Sequence, residues 1–161
     1  MIQADNFRAF RRACQNGHLE IAQWLLSQTP DNKLAMIQAK RFEPFRWGCQ
    51  NGHLETAKWL LSQTPDNKLS MIQARRFEAF RDACKNGNLE TVQWLMAQVP
   101  DNKLAMIQTE EFLPFREACQ YGRLDIARWL VAQYPGDRLA MIQSSKFFAF
   151  RWACLNSTLA I

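Results

Sequence analysis

The chain has 161 residues, of which 48% are hydrophobic and 22% charged, and 20 Lys and Arg against 15 Asp and Glu leave a net charge of +5. This composition fits a folded soluble protein, and no stretch is long and apolar enough to cross a bilayer. The basicity is too moderate to point to nucleic acid unaided.

One phrase returns every thirty-five residues: Met1-Ile2-Gln3, Met36-Ile37-Gln38, Met71-Ile72-Gln73, Met106-Ile107-Gln108 and Met141-Ile142-Gln143. A fixed period in this range marks a repeat array in which each unit buries its apolar face against its neighbours. The units are 1–35, 36–70, 71–105, 106–140 and a partial 141–161, expected to form one stacked all-α domain. The opening residues already carry the repeat pattern, so no targeting segment is expected there.

Within a unit, the spacing predicts two helices and a connector. In the second unit Pro44 suits a first helical position, opening a helix over 44–51 that Asn51-Gly52 closes with a left-handed turn. A second helix is predicted over 54–62, with Leu54, Ala57, Trp59, Leu60 and Leu61 as its apolar stripe. Pro65 ends it. Asp66 and Asn67 then suit capping positions for a further short segment over 68–73, a helical turn or one arm of a hairpin, with the short helix preferred.

Cys14, Cys49, Cys84, Cys119 and Cys154 occupy one repeat position. Stacked units lie about 10 Å apart, whereas a disulfide needs Cα atoms within about 7 Å, so these are expected to be reduced packing residues of a reducing, cytoplasmic setting. With no Cys-x-x-Cys pair and only His18 and His53 as histidines, no zinc site or other cofactor is expected.

The sequence Pro44-Phe45-Arg46, then Gly48-Cys49, then Gly52-His53-Leu54-Glu55 resembles an ankyrin repeat, and Gly-His-Leu-Glu stands also at Gly17 to Glu20. Asn88 and Arg123 replace the histidine in later copies. The resemblance implies a non-catalytic scaffold for a protein partner, gripped on the concave face formed by the first helices and connectors. Similar divergent arrays are typical of proteins that intracellular bacteria and large viruses deploy in host cells. Two departures stand out: a period of thirty-five in place of thirty-three, and no glycine-bearing hairpin finger. At the finger position Phe7, Phe42, Phe77, Phe112 and Phe147 recur, implying a packed-down helical or irregular connector. The period is also similar to that of pentatricopeptide RNA-binding repeats. Only about ten residues follow the turn glycine before the proline, however, and that family's second helix needs roughly fifteen.

Residues fixed in every copy are expected to form the interior. Phe7, Phe10 and Cys14 share one helical face, and Leu19, Trp24, Leu25 and Leu34 supply the neighbouring helix and connector. Trp24, Trp59, Trp94 and Trp129 are expected to stack as a buried ladder. At about 25 cal/mol per Å² over 150–250 Å², each ring contributes several kcal/mol before entropy is subtracted. Arg11, Arg46, Arg81, Arg116 and Arg151 are expected to bond backbone carbonyls of the connector, and His18 and His53 to brace their turns.

Residues that vary between copies mark the surface open to recognition. On the first helices these are Arg8, Arg12 and Gln15; Glu43, Trp47 and Gln50; Glu78, Asp82 and Lys85; Leu113, Glu117 and Gln120; Phe148, Trp152 and Leu155. The connectors add Asp5-Asn6, Lys40-Arg41, Arg75-Arg76, Glu110-Glu111 and Ser145-Lys146. Trp47 and Trp152 are the expected anchors. Successive copies carry net charges of +1, +2, +1, −1 and +2, an interrupted pattern that suits a protein partner better than a nucleic-acid track.

No Gly-rich phosphate loop, repeated nucleophile–base pair or carboxylate cluster breaks the repeat symmetry, so no catalytic site is expected. The apolar Phe148, Trp152 and Leu155 suit a fragment of a longer array, a self-capping half-repeat, or a weak oligomer through the last unit, with a monomer preferred. An RNA-binding helical repeat and an architectural or designed array stay open beside the protein-binding scaffold.

Overall fold

The computed structural model describes residues 7–144. The chain divides into two compact units, Met1–Ala79 and Phe80–Ile161. Among the described residues every regular element is helical. The first unit holds α1 (Arg8–Gln15), α2 (Leu19–Gln28), α3 (Lys33–Gln50), α4 (Leu54–Gln63) and the leading part of α5 (Lys68–Asn86). The second holds the rest of α5, then α6 (Leu89–Gln98), α7 (Lys103–Gln120), α8 (Leu124–Gln133) and α9 (Arg138–Gln143). In the first unit α1 packs on α2 and α3, and α3 on α4; in the second α8 packs on α6 and α7. The expected helix-turn-helix repeats are therefore present and stacked.

Local sequence explains each boundary. The first helix of a repeat ends at a glycine with positive φ, such as Gly17 at +72° and Gly52 at +76°. There the next amide returns to a carbonyl five residues back, His18 to Ala13 and His53 to Gly48, both at 2.9 Å. That bond satisfies a carbonyl the helix end would otherwise orphan. The second helix ends before proline, and Pro30–Asn32, Pro65–Asn67 and Pro100–Asn102 each form a single 3-10 turn. Asp66 and Asn67, expected as caps, lie inside that turn; at the equivalent Asn32 and Asn102 the side chain makes no capping bond.

The connector is helical, as preferred, but it turns a corner of an unusual kind. Helices α3, α5 and α7 each break after the Met-Ile-Gln phrase. Lys40, Arg41 and Phe42 have φ of +48°, +58° and +60°, and Arg75-Arg76-Phe77 and Glu110-Glu111-Phe112 repeat the same left-handed turn. Phe7, the first described residue, also has positive φ, at +60°. Three successive left-handed residues without a glycine cost roughly 1–2 kcal/mol each, so the fold must hold them from outside.

The core differs from the expected one in two respects. Met36, Ile37, Met71, Ile72, Met106 and Ile107 are fully buried with Phe10, Phe45 and Phe80, so the recurring phrase is itself interior. By contrast Leu34 is 47% and Trp24 60% exposed. Leu34 lies two residues before Met36, about 200° around the helix, which sends it outward when Met36 points in. Trp59, Trp94 and Trp129 are half-buried. The four rings therefore do not form the expected buried ladder, and Trp59 meets Phe10 edge-on at 6.4 Å. Cys14, Cys49 and Cys84 are buried thiols. Burial pushes the Cys14 thiol up to about 12 and Cys49 and Cys84 well above the ordinary value, so they are protonated packing groups.

Candidate functional site

In the first unit the left-handed turn is gripped by an arginine three residues into the helix it precedes. Arg46 Nε donates to the Arg41 carbonyl and Nη2 to the Lys40 carbonyl, both at 3.0 Å. Its Nη1 forms an ion pair with Glu78, at the head of the next first helix. The Arg46 side chain is only 4% exposed and Glu78 23%. Burial lowers the Arg46 guanidinium below its ordinary value and the adjacent Glu78 opposes that, so the group stays a cation. Arg11 and Glu43 form the same pair one repeat earlier, at 6% and 13% exposure.

These bonds bear out the expected arginine–carbonyl ties and place two of the expected partner-binding residues, Glu43 and Glu78, in ion pairs. Glu43 and Glu78 vary in the register of the repeat, yet both are committed to the arginine of the preceding repeat. Sequence reading missed this because donor and acceptor stand thirty-two positions apart. In the second unit Leu113 occupies the register of Glu43 and Glu78, and Glu110 takes over, pairing with Arg81 at 3.1 Å. Its backbone carbonyl also accepts from Arg116 Nη2 at 3.1 Å. The Arg–carboxylate brace is preserved although its carboxylate comes from another position.

The remaining predicted residues separate by unit. Arg8, Arg12, Lys40, Arg41, Arg75 and Arg76 are all exposed on the first unit. Trp47 is half-buried beneath two guanidinium groups, with Arg12 Cζ 5.5 Å and Arg11 Cζ 5.8 Å from its ring centroid. Such cation–π contacts fix the ring's attitude and leave one part of it at the surface. On the second unit Glu110 and Glu111 are exposed, while Asp82, Leu113 and Glu117 are half-buried. Burial raises the Glu117 carboxyl above its ordinary range; Asp82 adds to that, and Lys85, Arg81 and Arg116 oppose it. Phe148 and Trp152 lie outside the described residues.

Tyr121 was not among the predicted residues. It is 44% exposed, and the Lys85 ammonium sits over its ring at 4.9 Å. A signal for it existed: Asn16, Asn51 and Asn86 hold that register in the earlier repeats, so Tyr121 breaks the internal symmetry.

His53 was expected to brace its own turn, but its ring lies against the turn glycine of the preceding repeat. A Cβ built on Gly17 would lie 2.5 Å from His53 Nδ1, so ring and glycine are in direct apposition. Asn51 Nδ2 donates to the Gln15 carbonyl at 2.9 Å beside them. In the second unit Arg123 replaces the histidine, lies over Gly87, and donates from Nε to the Lys85 carbonyl at 3.0 Å. His18, by contrast, is exposed. No group of His, Cys, Asp or Glu among the described residues is placed to hold a metal ion, and no described helix is long and apolar enough to cross a membrane.

Comparison with known proteins agrees with this architecture. The family description of ankyrin repeats, three copies, matches residues 47–142. The X-ray structure of an ankyrin repeat family protein from Legionella pneumophila is similar, with 31% sequence identity over 76% of this chain and a TM-score of 0.70. The match covers 35% of that protein chain, so the present chain spans about a third of its relative's length. No curated protein matches the sequence. Ankyrin repeats are generally protein–protein interaction modules and generally non-catalytic. With the repeat motifs, the helix-turn-helix stack and the matched residues in agreement, the chain belongs to the ankyrin repeat family.

Proposed function

We propose that this protein is a non-catalytic scaffold that engages a protein partner through its first helices and connectors. The observation that carries this reading is a division of labour at each left-handed turn. The turn's carbonyls are tied down by the buried Arg46, while the side chains on those same residues, Lys40 and Arg41, are exposed. The backbone is thereby held independently of what the two side chains are, which leaves them open to partner recognition. Arg75-Arg76 and Glu110-Glu111 present different pairs on the same backbone. Trp47, oriented by Arg11 and Arg12, supplies an aromatic anchor of the kind that dominates binding energy.

Affinity capture from a proteome, followed by mass spectrometry, tests this reading. The wild-type chain is compared with Trp47→Ala and with Lys40→Glu combined with Arg41→Glu. A partner retained by the wild type and lost by both variants, each still helical by circular dichroism, is the expected result. Partners recovered equally by all three chains would remove this face as the binding surface.

A further inference from the structure

We infer that the second helices of the first unit carry a docking groove for a peptide that sets an acidic side chain beside an apolar one. Between α2 and α4, beside the Pro30–Asn32 turn, Gln23, Leu26, Pro30, Lys33, Trp59 and Gln63 line an open groove of about 310 Å³. It shares no residue with the connector face.

The fold accounts for some of these residues and not for others. Proline ends the second helix, and the Trp59 ring packs edge-on against Phe10. Lysine, however, opens α3, α5 and α7 at Lys33, Lys68 and Lys103, although a cation at a helix N-terminus meets the positive end of the helix dipole. Lys33 forms no ion pair among the described residues, and neither does Asp31 two positions before it. Gln63 recurs as Gln28, Gln98 and Gln133. Its amide donates to Ser62 Oγ at 3.3 Å, yet the glutamine is unchanged where Ala97 and Ala132 offer no hydroxyl. Other lining positions do change between copies, Leu26 to Met96 and Ser27 to Ala97, so the constancy of lysine and glutamine is selective. In the second unit the exposed Pro100 and the half-buried Lys103, Trp129 and Gln133 repeat the burial of Pro30, Lys33, Trp59 and Gln63.

Charge complementarity and hydrogen-bonding capacity select the occupant. The Lys33 ammonium together with the positive end of α3 attracts a carboxylate. Trp59, Leu26 and Pro30 suit an aliphatic or proline side chain, and the carboxamides of Gln23 and Gln63 each offer donors and an acceptor to a peptide backbone. On an extended segment alternate side chains face one way, about 7 Å apart, so a single segment brings both kinds of side chain to the groove.

The test pans a phage-displayed random heptapeptide library on the immobilised full chain. Enriched peptides are resynthesised with a fluorescein label and read by fluorescence anisotropy at about 50 and about 150 mM salt. Lys33→Glu with Lys103→Glu changes the groove of both units, and Glu at a helix N-terminus favours the helix, so the fold is kept; circular dichroism checks it. Lys40→Glu with Arg41→Glu makes the same change in net charge on the connector face. The expected peptides carry Asp or Glu within three positions of Pro, Leu, Ile or Val and bind more weakly at the higher salt. They should lose at least about 10-fold in affinity for the Lys33 and Lys103 variant and under about 2-fold for the connector variant. The inference is overturned if no peptide is enriched over an unrelated protein, if the enriched peptides lack an acid, or if the connector variant loses as much. A dimer in size-exclusion chromatography that the Lys33 and Lys103 variant abolishes would also overturn it, by showing a second copy of the chain in the groove.

Discussion

Arg46 holds Arg41 by its backbone and leaves its side chain outside: Nε reaches the Arg41 carbonyl at 3.0 Å, and Arg41 itself is exposed with φ of +58°. Positive φ in a residue with a Cβ is strained, and glycine relieves that strain at no steric cost. Arg41→Gly is therefore expected to stabilise the chain by about 0.5–1 kcal/mol, and Arg41→Val to destabilise it by about 1 kcal/mol or more. Urea unfolding monitored by circular dichroism reads both, and a midpoint that falls for glycine would mean that the turn is not left-handed.

The turn glycines separate steric from conformational cost. Gly17 and Gly122 have similar φ, +72° and +68°, but His53 abuts the first while nothing lies within 4 Å of a Cβ on the second. Gly122→Ala is expected to cost about 1 kcal/mol for φ alone, and Gly17→Ala about 2 kcal/mol or more. In the His53→Ala background the Gly17→Ala cost should drop to the Gly122 value. Equal costs in both backgrounds would dissolve the link between ring and glycine.

Glu117 makes a pH prediction whose sign is fixed. Its carboxyl is raised in the folded state, chiefly by burial, so folding binds a proton more tightly than the unfolded chain does. Its ionisation therefore opposes folding: the cost is absent below the ordinary value of 4.5, grows as pH rises through the window above it, and is fully present once the folded carboxyl has ionised. Glu117→Gln is expected to raise the thermal midpoint at pH 7 and to leave it unchanged near pH 4. A gain of the same size at both pH values would show that charge is not the cause.

Much of the fold was legible because its signals are local. Pro44 and the Asn-Gly pairs mark helix ends, and the Met-Ile-Gln phrase gives the period. The left-handed turn was hidden because Gly or Asn ordinarily announces that conformation, and Lys40-Arg41-Phe42 contains neither. The tryptophans misled for a different reason: recurrence in every copy was equated with burial, yet a residue that edges the next repeat is just as fixed. Glu43 and Glu78 looked variable because their partners lie in another repeat, a relationship that periodicity alone does not reveal. The pairs at 40–41 and 75–76 are exposed, as side chains that change on a constant backbone can be.

The central claim is that the fixed arginine holds the turn and the variable pair does not. Urea midpoints of Arg46→Ala and of Lys40→Glu combined with Arg41→Glu, measured side by side, test it most directly. Arg46→Ala strands two carbonyls and leaves the Glu78 carboxylate with Arg75 alone, and should cost about 2–4 kcal/mol. The double connector variant should stay within about 0.5 kcal/mol of the wild type. A large loss from the connector pair, or a negligible one from Arg46→Ala, would contradict the account.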